Sequence, residues 1–413
     1  MSTSLPEGNR AVRAAFILAL FGWGVGFYGP PVYLAAVMAR TGWSLSLVSA
    51  AITLHFLAGT VVIASLPRAY ARLGVPRVTM CGAAFTALGV LGWAVAGQPW
   101  QLFAAAAVSG AGWVTMGAVA VNTIVSRWYV QGRPLALARA YNGATLGGVL
   151  FVPLWAALIQ RWGFVCAVLL VGACMLAVVG HLARRVLGRT PASPAPSASA
   201  APTAPVAVPV LAGRRGSDAT PGLWRSRAFV TLAFAMAVGL FAQIGLLAHL
   251  FALLAPRFGE QFSSLLMGAG TACAIGGRYV AAAAVTRFGQ RRAVAAASYA
   301  WQALGGLGLI LGWLQGSTVL LVAGVLLFGA GIGNATSLPP LIAQTDFPAA
   351  QVGVVVARIV ALSQAAYAFA PLAFGTALGM APHGSPLVLF AGAAVLQVVA
   401  ALALLGVRRA VLP

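Results

Sequence analysis

Twelve apolar runs follow one another along the chain, each near the ~20 residues that the hydrocarbon core of a bilayer requires. Their limits are 14–38, 45–66, 78–97, 101–126, 135–159, 164–187, 228–254, 262–285, 293–314, 318–343, 352–379 and 386–407. Short polar, arginine-bearing segments separate them. The pattern predicts an all-α membrane protein with twelve transmembrane helices. The first run starts after Arg10 and Arg13 and continues to about Met38. That is longer than the apolar region of a cleaved leader, so it is read as a span.

One stretch breaks the pattern. Residues 188–226 contain TPASPAPSASAAPTAPVAVPV, which is too poor in large apolar residues to pack and too interrupted by proline to be helical. It predicts a cytoplasmic Pro/Ala/Ser-rich linker between an N-terminal six-helix bundle, 1–187, and a C-terminal six-helix bundle, 227–413.

Composition agrees. The chain has 413 residues, 61% hydrophobic and only 7% charged, against about 25% charged in a soluble protein. All 25 basic residues are arginine, and the net charge is +21. In a soluble chain such charge would suggest nucleic acid. Here the arginines sit in short loops, and the positive-inside rule accounts for them without a nucleic-acid partner. With the amino end inside, twenty arginines fall on the inner side and three, Arg40, Arg161 and Arg257, on the outer side. Both termini are therefore expected in the cytoplasm. Cys81, Cys166, Cys174 and Cys273 lie in predicted spans without metal-site spacing and are expected as small buried apolar residues.

Arg278 and Arg358 fall within spans. A charge at the centre of an apolar helix costs about 2.5–3.5 kcal/mol on insertion scales, so Arg278 needs a partner. The chain's four acidic residues, Glu7, Asp218, Glu260 and Asp346, all lie outside the apolar segments. Two solutions remain open: backbone oxygens, hydroxyls and water satisfy the guanidinium, or a bound anion does. Gly270, Thr271, Ala274 and Ala282 share its helix face and leave room beside it. A planar guanidinium in a low-dielectric cavity suits bidentate carboxylate binding.

The two halves resemble each other. Pro67-x-x-x-Ala71-Arg72-Leu73-Gly74 recurs as Ala282-x-x-x-Thr286-Arg287-Phe288-Gly289, an offset of 215. Ser109-Gly110-Ala111-Gly112 recurs as Phe328-Gly329-Ala330-Gly331, an offset of 219. Ala138-Arg139 and Pro153-Leu154 recur as Ala357-Arg358 and Pro371-Leu372. Two parallel repeats enclosing a midplane site form a transporter architecture.

On these features the whole chain resembles the major facilitator superfamily. The loops after spans 2 and 8 are similar to its G-x-x-x-D-R-x-G-R-R motif, with Ala71 and Thr286 at the aspartate position and Pro67 and Ala282 at the leading glycine. The resemblance gives Arg72 and Arg287 a gating role. Within the superfamily the chain most resembles the monocarboxylate and oxalate porter-like branch. RTGWSLSLVSAAIT, RWYVQGRPLALARAYNGATLGGVLFVPL and the Gly277-Arg278 pair carry that likeness. The branch binds substrate carboxylate with a span-8 arginine, whose matching position is Arg278. Its eukaryotic members couple protons through an aspartate where this chain has Ala274. The family lines its cavity with spans 1, 4, 7 and 10, which favours Tyr28, Asn122, Gln243 and Asn334 as substrate contacts. AHLFALLAPRFG resembles bacterial members, implying a bacterial cytoplasmic (inner) membrane protein.

Histidine can carry protons where no carboxylate is at hand. His249 and His55 are the expected coupling residues, against the commoner buried histidine that donates to a carbonyl. Arg358, which Asp346 just before its span is expected to reach, is assigned to gating or structure. Gly22, Gly26, Gly29, Gly143 and Gly147 are expected to let helices approach closely. Pro30-Pro31, Pro153, Pro339-Pro340 and Pro371 are expected to kink their spans.

Three function classes compete. A secondary transporter of a small organic anion, working by alternating access as a monomer without a cofactor, fits arginine without a membrane carboxylate. An exporter of hydrophobic or drug-like compounds is the alternative. A membrane enzyme would need paired carboxylates, a metal motif or a phosphate-binding loop, and none is present in the sequence.

Overall fold

A computed structural model describes residues 4–129, 133–189 and 223–406. Most of the expected linker lies outside the described residues. The described chain is helical throughout: α1 (Ser4–Gly26), α2 (Pro30–Thr41), α3 (Leu45–Leu73), α4 (Val75–Val95), α5 (Pro99–Trp113), α6 (Ala118–Trp128), α7 (Arg133–Leu182), α8 (Arg227–Phe258), α9 (Glu260–Phe288), α10 (Arg291–Leu314), α11 (Thr318–Ile332), α12 (Asn334–Asp346), α13 (Ala349–Ala368), α14 (Ala370–Met380) and α15 (Leu387–Leu405).

Among the described residues, ten helical segments are long and apolar enough to cross a membrane, and the pair Thr318–Ile332 and Ser337–Asp346, bent by 42°, makes an eleventh. One of the ten, Leu135–Leu187, runs for 53 residues. It is twice the length of a span and breaks at Gly163, with φ 80° and ψ 164°. Dividing it there gives the twelve spans expected from the sequence.

Several spans are discontinuous. Span 1 breaks between α1 and α2, where the amides of Phe27 and Tyr28 both reach the Trp23 carbonyl at 3.0 and 2.8 Å. Pro30 and Pro31 then open α2, where a missing N–H costs nothing. Span 4 passes through a 3₁₀ turn, Val114–Met116, between α5 and α6. Span 10 breaks at Gly333 and span 11 at Phe369, just before Pro371. The proline expectation therefore holds for Pro30-Pro31, Pro339-Pro340 and Pro371. Pro339 and Pro340 act on carbonyls four residues earlier, within the bend that separates Ile332 from Ser337, whereas Pro153 sits inside α7 with no non-helical residue beside it. Gly163, with its positive φ, is the turn between spans 5 and 6 rather than a kink within one of them.

The described residues form two compact units, one within 1–210 and 248–268, the other within 211–247 and 269–413. In the first, α1 crosses α7 so closely that a Cβ on Gly143 would overlap the Phe16 carbonyl. A Cβ on Gly147 would lie 2.7 Å from the Leu20 carbonyl oxygen. This is the packing that bilayers favour, since lipid is as apolar as leucine and only close fit distinguishes helix from lipid.

The internal repeat is carried into the packing. A Cβ on Gly110 would overlap the His55 backbone, and one on Gly329 would overlap the Gly270 backbone. The offsets 215 and 219 relate these two crossings. Gly112 likewise abuts Thr86 and Gly82 as Gly331 abuts Gln302 and Ser298. The span-4 turn at Val114 corresponds to the span-10 break at Gly333 by the same offset.

The cysteines correct an expectation. Cys81, Cys166 and Cys174 are exposed and Cys273 is half-buried. Hydropathy distinguishes membrane from water, not core from lipid face, and a small apolar thiol suits the lipid face equally.

Gly329→Leu should lower the detergent melting temperature markedly, at a cost of about 1–3 kcal/mol or more, because Gly270 backbone must move. Gly276→Ala, where no heavy atom lies within 4 Å of the added methyl group, should melt like the parent.

Candidate transport site

Arg278 is half-buried on α9, in the second unit. Gly277, beside it, lies so close to α11 that a Cβ there would overlap the Ala330 carbonyl. One step on, the Arg278 side chain crosses the bare Cα of Gly333. A Cβ at that glycine would overlap Arg278 Nε and come within 2.8 Å of its Cγ. The arginine is therefore laid over the break in span 10.

Asn334 opens α12 immediately after that break. Its Nδ2 donates to the Gly277 carbonyl at 3.4 Å. A carbonyl can only accept, so this contact fixes the amide orientation and leaves Oδ1 as the free acceptor. Asn334 Oδ1 is buried without a hydrogen-bond partner among the described residues. Beside Asn334 lies a void of about 10 Å³, also lined by Ser298, Tyr299 and Leu338, which is room for one water. Gln243, also in the second unit, is buried, and its Oε1 lacks a hydrogen-bond partner among the described residues.

The remaining expected contacts belong to the first unit. Tyr28 is half-buried at the span-1 break, with its ring edge-on to Phe27 at 5.0 Å. Asn122 donates from Nδ2 to the Ala118 carbonyl at 2.9 Å and to the Tyr141 hydroxyl at 2.7 Å. Its Oδ1 is again buried without a partner among the described residues.

The two histidines differ. His55 Nε2 donates to the Gly26 carbonyl at 2.8 Å, Nδ1 lies 2.9 Å from Ser109 Oγ, and the ring stacks on Trp113. Both nitrogens are committed to holding α3 against α5 and the end of α1. His249 is fully buried, and its Nε2 lies 2.9 Å from Ser49 Oγ, joining α8 to α3 within the first unit. A hydroxyl partner can reverse its donor role as the imidazole gains or loses a proton, which a carbonyl cannot.

The expected gating residues also separate. Arg72 and Arg287 are exposed at the ends of α3 and α9, ahead of Gly74 (φ 79°) and Gly289 (φ 64°). The glycines of those loops are required by positive φ. The expectation that Asp346 reaches Arg358 is not met. Asp346 Oδ2 accepts from Arg292 Nε at 2.6 Å, while the Arg358 guanidinium lies 5.9 Å from the Trp224 ring centroid. Arg292 also donates to the Ala228 carbonyl at 2.7 Å and to Thr231 Oγ1 at 3.1 Å. It is the tie between the cytoplasmic ends of α8, α10 and α12.

Sequence reasoning missed this tie, and it missed Ser49 and Gly333. It also missed a buried pair, Gln302 and Gln397. Gln397 Nε2 donates to Gln302 Oε1 and to the Gly239 carbonyl, and Gln302 Nε2 to the Gly331 carbonyl, all at 3.2 Å. Amides inside apolar runs were the available signal. Among the described residues no group of three His, Cys, Asp or Glu side chains is placed to hold a metal ion.

A Major Facilitator Superfamily profile matches residues 14–371, and the chain belongs to that family. It is a multi-pass membrane transporter rather than an enzyme. No curated protein matches it. Among solved structures it is similar to the nucleoside transporter NupG, at 13% identity with a TM-score of 0.74 over 96% of this chain and 98% of that one. It is similar also to a D-xylose-proton symporter, at 14% identity with a TM-score of 0.74 over 97% of each chain. At these identities the likeness is one of fold.

Asp346→Asn should destabilise the protein by about 1.5–3 kcal/mol, the range of hydrogen bonds to charged groups, and Arg292→Gln by a similar amount. The double variant should cost less than the sum, as a thermal double-mutant cycle in detergent would show.

Proposed function

We propose that this transporter carries a small, monocarboxylate-like organic anion by alternating access, with the substrate carboxylate held by Arg278. The observation that carries this reading is the placement of Arg278 across the Gly333 break, with the Asn334 amide beside it. A guanidinium there presents donors to a carboxylate at the depth where the span has given up its regular helix. Likeness to the monocarboxylate and oxalate porter-like branch, through Gly277-Arg278, supports the same cargo class. Tyr28, Asn122 and Gln243 are the further contacts we assign, and the two six-helix halves, 1–187 and 227–413, are the moving bodies. Arg72, Arg287, Arg358 and Asp346 act at the gates. The setting is the bacterial cytoplasmic membrane, and the working unit a monomer.

A thermal-shift screen of the purified protein tests the cargo. Small mono- and dicarboxylates should stabilise the parent by mass action. Arg278→Gln should weaken that binding about tenfold or more, the equivalent of one lost charge-assisted hydrogen bond of about 1.5–3 kcal/mol. Stabilisation by hydrophobic or cationic compounds alone, unchanged in the variant, would select the alternative, a drug-type exporter. Gly333→Ala should weaken carboxylate binding while leaving the charge in place, because its methyl group displaces Arg278.

His249 is the coupling residue we favour, since its Ser49 partner tolerates either protonation state. Uptake by reconstituted vesicles should vary between pH 5.5 and 8, and His249→Gln should flatten that profile. A flat profile in the parent would remove the histidine from the mechanism.

A further inference from the structure

The N-terminal parts of α1 and α7 precede the Gly143–Phe16 crossing on both helices. Between them opens a groove of about 680 Å³, within the range of ~300–1,000 Å³ usual for small-molecule sites. Its walls come from residues at helical spacing on the two faces that touch at the crossing. On α1 these include Asn9, Arg13 and Phe16, and on α7 Leu135, Ala136 and Arg139. Arg13 stands one turn below Phe16, and Arg139 one turn below Gly143, so the crossing sets a guanidinium on each wall at matching depth. Both arginines are exposed. Tyr129 also lines it: its hydroxyl donates to Asn9 Oδ1 at 3.2 Å, and its ring packs on Gly8.

No lining residue is acidic. Glu7, the acidic residue nearest in sequence, is 3.6 Å from Arg189. The positive-inside rule explains why arginines occur on this side. It does not explain two of them on facing walls of one groove whose deeper end is apolar, at Phe16 and Ile17.

We propose that this groove, built from the first unit's own residues, is an anion site that takes a soluble organic anion from the cytoplasm. Arg13 and Arg139 clamp its carboxylate, and its apolar body lies against Phe16, Ile17 and Leu135. The site belongs to the first unit alone, so it does not rest on the cargo assigned to Arg278.

Arginine footprinting of the full chain in detergent tests it. Phenylglyoxal modification is followed residue by residue by mass spectrometry, with 4-phenylbutyrate as ligand and 4-phenylbutanol as its neutral counterpart. Modification of Arg13 and Arg139 should slow about tenfold at a ligand concentration ten times Kd, by mass action, while Arg10, outside the groove, keeps its rate. Arg278 is read in the same digest, so loss of protection there alone would fail the cargo reading and leave this one standing. Equal rates with and without 4-phenylbutyrate, or equal protection by the alcohol, would overturn the proposal. Protection of both arginines only in vesicles containing phosphatidylglycerol would make the groove a lipid-headgroup site and overturn it too. Arg13→Gln and Arg139→Gln should each abolish protection of the other arginine, and the lysine variants should retain part of it.

Discussion

The second unit depends on how closely α9 can approach the broken span made of α11 and α12. Three glycines set that distance. Gly329 rests on the Gly270 backbone, Gly277 on the Ala330 carbonyl, and Gly333 under the Arg278 side chain. In hydrocarbon, helices gain no hydrophobic advantage by meeting, so contact of this kind must supply the specificity. Because the helices touch at backbone level, an arginine on one of them lies across the other where its hydrogen-bond ladder is interrupted. The same contact lets Asn334 reach the Gly277 carbonyl, which fixes the amide and turns its oxygen away. The charge, the amide and the break are thus consequences of one crossing.

The first unit contains the same crossing with different chemistry. Gly110 sits on His55 as Gly329 sits on Gly270, and the two share the offsets that relate the sequence halves. In the first unit the position carries an imidazole, which fills the crossing and bonds Gly26 and Ser109. In the second it carries no side chain. The position matching Arg278 is Ile63. The two halves therefore share the close-packed scaffold, and the charge is found in one of them only.

Much of this was legible because its causes are local. Span length, arginine asymmetry and glycine spacing are set by the bilayer and by helix geometry, and they predicted the twelve spans and the Gly143 and Gly147 contacts. Arg278 stood out because a charge in an apolar run is costly wherever it lies. What escaped depended on partners far apart in the chain. Asp346 was matched to Arg358 by proximity in sequence, yet Arg292, on a different helix, holds it at 2.6 Å. Ser49 gave no reason to be singled out until His249 stood beside it. The cysteines were misplaced because apolar patterning does not tell a core face from a lipid face. Pro339 and Pro340 drew attention as kinks, and the 42° bend does fall in the turn before them, but that Gly333 makes room there for a side chain from α9 depends on a partner far away in the chain.

Charge placement closes the physical account. The described acidic residues sit at helix ends: Glu7 near the start of α1, Glu260 opening α9, Asp346 closing α12. Glu7 and Asp346 face arginines there, Arg189 and Arg292. Glu260 lies in a first turn, where the helix dipole favours a negative charge. The sequence therefore spends its negative charge at the membrane boundaries and keeps a guanidinium at depth on α9. A positive charge in low-dielectric surroundings raises the local concentration of anions and repels cations. Exposed arginines at Arg13 and Arg139 extend the same sign to the cytoplasmic end of the first unit. On the cargo we propose, an electrostatic bias of this kind would select by sign before any close contact is made, leaving the short-range contacts to distinguish one anion from another.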